Sequence, residues 1–310
     1  MTGRTVHSAI ILLVIGNLLA IFSDAIIKWQ GGEIPVLQFV FMRLLCTLAV
    51  LAPLLPLIDR DNLFRGTRIH LLRAHISIVG VLCMVIALTN LPLATANALF
   101  YAAPLLVMTL GVVMFRERTT PLSVLAVISG FAGILIILRP LEFTWQGVSA
   151  LGAAAALGIN ALLVRKLPRG QSMVHTLVLT HVYGLPAALA LMLWEGAAWD
   201  WGLMIAAFGS ALFILGYSAT VLLAYRHVAA NRVTSAEYTG LIWAIGFGWL
   251  WFGEVPDLWF FAGSVLIVGP LVLLSLAEHR GLRRDKRELP SPPRPAPAEH
   301  QTDRLVRVHE

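Results

Sequence analysis

Ten long apolar stretches separated by short polar gaps occupy residues 1–278 of this 310-residue chain. They cover residues 8–29, 34–57, 70–89, 94–115, 121–139, 146–164, 173–194, 201–224, 232–252 and 257–277. A helix needs about 20 apolar residues to cross roughly 30 Å of hydrocarbon, and inside lipid each backbone amide must be satisfied within its own segment. The pattern therefore predicts an all-α integral membrane protein with ten transmembrane helices. Several gaps carry their own breakers: Gly31-Gly32 with Pro35, Pro92, Pro121, Pro140, Pro168 with Gly170, and Pro256. The first run is too long for a signal peptide and lacks a small-residue cleavage site, so it is expected to stay in the mature protein.

Composition narrows the class further. Of all residues 58% are apolar and 13% charged, against roughly 25% charged in an ordinary soluble domain. The last 32 residues hold 8 of the 23 Lys and Arg and 5 of the 17 Asp and Glu, which leaves the remainder strongly apolar. A net charge of +6 does not imply nucleic-acid binding here, because the charges fall in gaps between membrane runs and form no exposed basic face. They report orientation instead. Alternate gaps hold Arg4; Arg60, Arg65, Arg68 and Arg73; Arg116 and Arg118; Arg165, Lys166 and Arg169; and Arg226 and Arg232, whereas the intervening gaps hold Lys28 and Arg139. Cytoplasmic loops keep Lys and Arg, so both termini are expected in the cytoplasm, with the chain in a bacterial cytoplasmic (inner) membrane. Residues 279–310, basic and then Pro-rich, are expected to form a disordered cytoplasmic tail. Cys46 and Cys83 lie deep in apolar runs without metal-type spacing and read as packed thiols.

The chain also repeats itself. A shift of 137 residues brings Ala87-Leu88 onto Ala224-Tyr225, Tyr101 onto Tyr238, and Phe115-Arg116-Glu117 onto Phe252-Gly253-Glu254. A shift of 136 brings Asp24-Ala25-Ile26-Ile27 onto Asn160-Ala161-Leu162-Leu163. Two repeats of five helices follow, residues 1–140 and 141–278. Five is odd, so the second copy enters the membrane from the opposite face: a 5+5 inverted repeat. Such repeats build a substrate site near the midplane between two bundles and alternate its access.

At these residues the chain resembles the drug/metabolite transporter superfamily, specifically its EamA-domain proteins. The resemblance covers nearly all of residues 8–278 and rests on Ile34-Pro35 with Arg43; on Ala87-Leu88 through Leu93-Ala94 to Pro104; and on Phe115-Arg116-Glu117-Arg118 with Gly130 and Gly133. Phe252-Gly253-Glu254 with Gly263 and Gly269 completes it. Phe22 to Trp29, Pro35-Val36-Leu37-Gln38 and Arg43 are similar to the branch containing S-adenosylmethionine uptake proteins. The second half lacks a counterpart of Arg43, having Thr180 there, and Pro104 falls on Leu241, which implies an asymmetric site.

Charged groups inside a bilayer are costly, so those that persist face a cavity or a partner. Arg43 lies nine residues past the start of the second run, or about 13 Å in. It can pair bidentately with Asp24, with Glu237 or with a solute carboxylate. Asp24 and Lys28 are four apart on one helical face, with Lys28 placed to snorkel and Asp24 placed to take cationic cargo or a proton. Glu237 has no basic neighbour in its own run and needs a proton or a distant partner. Asn97, Tyr101, Asn160, Tyr238 and Trp243 offer hydrogen bonds and rings around these charges, and Tyr101 and Tyr238, as repeat mates, are expected on opposite sides of one cavity. His181 reads as a hydrogen-bonded core residue or a proton relay. Trp194, Trp199, Trp201 and Trp259 read as interfacial belt residues.

The expected activity is secondary transport of a small polar or zwitterionic organic metabolite, S-adenosylmethionine-like or amino-acid-like, by alternating access. Export of drugs or amino acids by the same fold is the alternative within transport. A membrane-embedded enzyme would need a catalytic cluster, and no HExxH, GxSxG or GxxxxGK[ST] sequence occurs. A channel would need long polar stripes, which are missing. The expected partners are a small-molecule substrate and the lipid bilayer, with no nucleic acid, cofactor or metal; proton coupling and homodimerisation stay open. Replacing Glu237 with Gln is expected to abolish uptake into vesicles while leaving the melting temperature of the purified protein unchanged.

Overall fold

Where each apolar run becomes helix is decided by the polar residues flanking it. The computed structural model describes residues 5–58, 63–116, 120–139, 144–168, 171–227, 236 and 238–288, and among these every regular element is helical. In chain order they are α1 (Val6–Trp29), α2 (Val36–Leu51), α3 (Thr67–Asn90), α4 (Leu93–Phe100), α5 (Ala102–Phe115) and α6 (Pro121–Leu138). Then follow α7 (Trp145–Val164), α8 (Met173–Glu195), α9 (Trp201–His227), α10 (Thr239–Phe252) and α11 (Leu258–Glu288). Thr5, Thr120, Thr144 and Ser172 each accept a hydrogen bond from the amide three residues on, which satisfies one orphan donor at the starts of α1, α6, α7 and α8. Gly196 and Gly253 end α8 and α10 in the left-handed conformation.

Prolines account for the departures from uniform runs. The fourth run is two helices, α4 and α5, with a break at Tyr101. Pro104 has no amide proton, and its ring crowds the carbonyl of Phe100, so the helix opens one turn before it. The second run finishes as a 3-10 helix over Ala52–Leu57, which contains Pro53 and Pro56. Eight segments are long and apolar enough to cross a membrane, counting α4 with α5 as one. Two of the ten expected runs fall short as helices: α10, with 14 residues, and the apolar part of α11, Leu258–Leu273. At the C-terminal end the helix also differs from expectation, since α11 continues through Glu288 where a disordered tail was expected from residue 279. The added stretch is rich in Arg, Lys, Glu and Leu, all strong helix formers.

The bundle is apolar on its outer surface as well as inside. Val79, Val113, Leu125, Leu193, Ile205, Leu250 and Val265 are all exposed, as a bilayer requires and water would penalise. The four tryptophans Trp194, Trp199, Trp201 and Trp259 are exposed near helix ends. The most enclosed element is α4, where Leu93, Ala94, Ala96, Ala98 and Leu99 are essentially inaccessible. Around it α1 lies along α9 and α3 along α7, while α2 packs on α8 and α9 and α8 packs on α3. Helices α6 and α11 lie side by side and touch backbone to backbone: a Cβ on Gly133 would stand 2.5 Å from the Gly263 carbonyl oxygen, and one on Gly263 would stand 2.5 Å from that of Gly133. Ser129 closes the same contact by donating to the Leu266 carbonyl at 2.9 Å. Small residues of this kind let membrane helices approach closely.

Gly133→Val is expected to lower stability by roughly 1–3 kcal/mol, because backbone cannot yield as a side-chain tip can. Thermal unfolding of the detergent-solubilised protein measures it. Gly246→Ala, at a position with open space around it, is expected to leave the melting temperature unchanged or raised.

Candidate functional site

Helices α2, α3, α7, α8 and α9 surround a cavity of ≈ 300 Å³. Its walls are mostly aliphatic, from Val40, Leu44, Ile78, Val81, Met84 and Leu177, with a few polar groups among them: Arg43, Thr47, Ser77, Asn160, Thr180, His181 and Ser218. This is the usual composition of a small-molecule site, apolar with sparse orienting groups.

Each polar group is held by local bonds that leave something over. Thr47 donates to the Arg43 carbonyl at 2.8 Å, Thr180 to Thr176 at 2.8 Å and Ser218 to Ile214 at 2.9 Å, so each hydroxyl oxygen keeps acceptor capacity. Asn160 donates to Ser77 Oγ at 3.2 Å, and its carbonyl oxygen has no partner. The His181 Nδ1 lies 2.8 Å from the Leu177 carbonyl, which puts the proton there and leaves Nε2 as the acceptor of the neutral ring. Arg43 is 9% exposed and donates through Nε to Ser210 Oγ at 3.1 Å; that hydroxyl is 2.8 Å from Ser23 Oγ. Among the described residues the ion pairs within 4 Å are Lys28–Glu254 and Arg139–Asp257. Arg43 and Asp24 therefore act on each other at longer range.

The remaining sequence candidates gather beside this cavity, around α1, α4 and α10. Asp24 is buried beside Asn97, which donates to the Leu93 carbonyl at 3.1 Å. Tyr101 and Tyr238 do not face each other across a void: their rings are in contact, with centroids 5.7 Å apart. They stand at the break between α4 and α5 and at the start of α10, the two positions that the repeat equates. Trp243 stacks on Phe247, and its indole nitrogen is buried without a partner. Glu237 lies outside the described residues. Arg43 and Asn160 thus line the cavity, Asp24 lies within electrostatic reach of Arg43, Tyr101 and Tyr238 pack on each other, and Trp243 packs on Phe247.

Two placements escaped the sequence reading. Arg73, counted there with the cytoplasmic gap, lies inside α3, is half-buried and donates to Thr180 Oγ1 at 3.3 Å. Lys28 pairs with Glu254 at 2.7 Å, where snorkelling near Asp24 was expected. It also donates to the Leu91 carbonyl at 2.7 Å, while the other oxygen of Glu254 accepts from the Leu93 amide at 2.7 Å, so one carboxylate ties α1 and the α10–α11 turn to the start of α4. At the same end of the bundle, Glu195 accepts from the amides of Leu37 and Gln38 at 3.0 and 2.7 Å and caps α2. The repeat placed Glu254 beside a loop, but no local pattern announces a cap supplied from 158 residues away.

The sequence pattern of the EamA-like transporter family matches residues 7–139 and again 145–276. The chain is 24% identical over 275 residues to the pseudopaline exporter CntI of Pseudomonas aeruginosa UCBPP-PA14, covering 86% of this chain and 96% of that one. It is 28% identical to a riboflavin transporter of Brucella anthropi, covering 80% and 91%. Against an S-adenosylmethionine uptake transporter of Rickettsia conorii the identity is 23%, with 84% and 90% covered. A crystal structure superposes with a TM-score of 0.59 at 18% identity, covering 88% of this chain and 98% of that chain; it bears on the fold alone.

Lys28→Met is expected to cost about 1–3 kcal/mol, since it leaves a partly buried carboxylate without its cation. Glu254→Gln should cost less, because a carbonyl oxygen remains for the Leu93 amide. Exchanging the two residues is not expected to restore stability, because the backbone partners do not exchange with them. Thermal melts of the three variants give the order.

Proposed function

The chain belongs to the EamA-like transporter family, and from that premise we propose that it is a secondary transporter with ten membrane segments in two oppositely oriented repeats, residues 1–140 and 141–278. It moves a small polar or zwitterionic organic metabolite across the bacterial cytoplasmic membrane by alternating access, with both termini in the cytoplasm. The observation that carries this reading is the cavity, to which α2 and α3 contribute from the first half and α7, α8 and α9 from the second.

Reciprocal packing supports the two repeats. Exchanging the halves turns the α1–α9 contact into the α7–α3 contact and the α2–α9 contact into the α8–α3 contact, and both members of each pair occur. The closest approaches exchange as well. A Cβ on Gly16 of α1 would collide with Thr220 of α9, and one on Gly152 of α7 would stand 3.0 Å from Cys83 of α3. Gly152 and Cys83 are the positions that the repeat assigns to Gly16 and Thr220.

Within this reading Arg43 and Asn160 touch the solute. Asp24, buried beside Asn97 and within electrostatic reach of Arg43, or Glu237, carries the coupling proton. Tyr101, Tyr238 and Trp243 form the aromatic wall along which the bundles move. Export is the second reading, favoured by the relative named as an exporter.

Proteoliposomes offered S-adenosylmethionine, riboflavin and a set of amino acids are expected to accumulate at least one of them. A protonophore should collapse that accumulation, and Asp24→Asn should reduce it by about tenfold or more, the scale of one lost charge-assisted interaction. If no probe moves in either direction, the carrier reading fails.

A further inference from the structure

The shift of 137 residues that lays Arg43 over Thr180 also lays Arg73 over Ser210. These four residues form two hydrogen-bonded pairs. Arg43 Nε donates to Ser210 at 3.1 Å across α2 and α9, and Arg73 Nη1 donates to Thr180 at 3.3 Å across α3 and α8. Exchanging the halves converts one pair into the other with guanidinium and hydroxyl swapped. The second half, which has no arginine at its own equivalent of position 43, is served at that point by an arginine from the first.

Depth separates the two cations. Consecutive spans α2 and α3 run in opposite directions, and each arginine lies about 10 Å from its own helix start, so the pair sits toward opposite ends of the bundle. Both bear on one cavity: Arg43 and Thr180 line it, and Arg73 reaches its wall through the bond to Thr180. Neither cation is saturated. Among the described residues Arg43 is engaged through Nε alone, and the Nε of Arg73 is buried with no partner. Among the described residues no Asp or Glu lines the cavity. A guanidinium on the wall of a void of low dielectric constant, with a second guanidinium one hydrogen bond behind that wall at Thr180, is completed best by a carboxylate.

Resting on the carrier reading above, the geometry points to a solute held by a carboxylate, which Arg43 binds when the cavity opens to one face and Arg73 binds when it opens to the other. Arg73 is then the second anion-binding residue of the site and replaces the arginine missing from the second half. A solute cation, where there is one, is left to Asp24 and the aromatic wall.

The test pairs acids with their neutralised forms: methionine with methioninamide, S-adenosylmethionine with its methyl ester, and citrate with trimethyl citrate. Wild-type protein is offered all of them at millimolar concentration, with thermal stabilisation in detergent and transport into oriented proteoliposomes as readouts. The free acids should bind and move, and their partners should do so about ten- to a hundredfold less well. Arg43→Gln should raise the apparent KM for transport from one face and Arg73→Gln from the other, with Arg73→Lys intermediate and all three variants melting near the wild type. Equal handling of acids and their amides or esters overturns the carboxylate assignment and leaves the carrier reading standing. Acid selectivity that Arg73→Gln leaves unchanged from both faces removes Arg73 from the site. Binding and transport of no probe by wild type overturn the proposal and the carrier reading together. If Arg73→Gln does not fold, the wild-type acid and amide comparison and Arg73→Lys still decide it.

Discussion

Hydrocarbon offers no water to complete a hydrogen bond, and this one fact orders the structure. A polar atom inside the bundle is stabilised only where another part of the same chain meets it, and several of the sites where it is met join distant segments. Glu195 supplies the acceptor for the first amides of α2, Glu254 does the same for α4, and Ser210, itself bonded to Ser23, receives Arg43. The ends of the helices are thus fastened by ionic and amide contacts, while their middles are mostly apolar and pack closely at small residues. A cavity can survive between such helices because the groups lining it are anchored to their own backbones.

The sequence displayed the helices well and their side-chain partners poorly. Length and composition were enough for the apolar runs, since nothing but a helix closes its own backbone in lipid. The break at Tyr101 was legible in principle from Pro104, but a proline within a membrane run produces a kink, a break or neither according to its neighbours. Residues 279–288 read as disordered because a polar segment has no core to bury, yet local helix propensity extends α11 through them. Arg73 was assigned to a loop by charge bookkeeping that treats a helix end as a boundary; its half-buried position inside α3 follows from Thr180, on another helix. Lys28 misled for the same reason: its nearest charge along the helix was Asp24, while its partner is Glu254 at 2.7 Å. Pairing across the bundle is tertiary information, and spacing along one helix does not contain it.

The named relatives handle unlike compounds at 23–28% identity, which fits a scaffold whose cavity is mostly aliphatic. Selectivity in such a pocket depends on few groups, because apolar walls tolerate many shapes whereas an unpaired cation or amide tolerates few partners. The duplicated ancestry leaves its mark in this economy. The first half supplies the arginine at both crossings and the second half the hydroxyl, so the site is asymmetric in residue type and in charge.

At the contact between α6 and α11 the carbonyls of Gly133 and Gly263 press against each other's glycine, flanked by the side chains of Ile137, Leu266 and Ile267. Most helix pairs interlock like gear teeth, so that any change in crossing angle must lift one row of side chains over another. Here the rows are pressed flush, and Ile137 and Ile267 beside the glycines together with the Ser129 bond fix the crossing, so the last helices of the two repeats form a single strut.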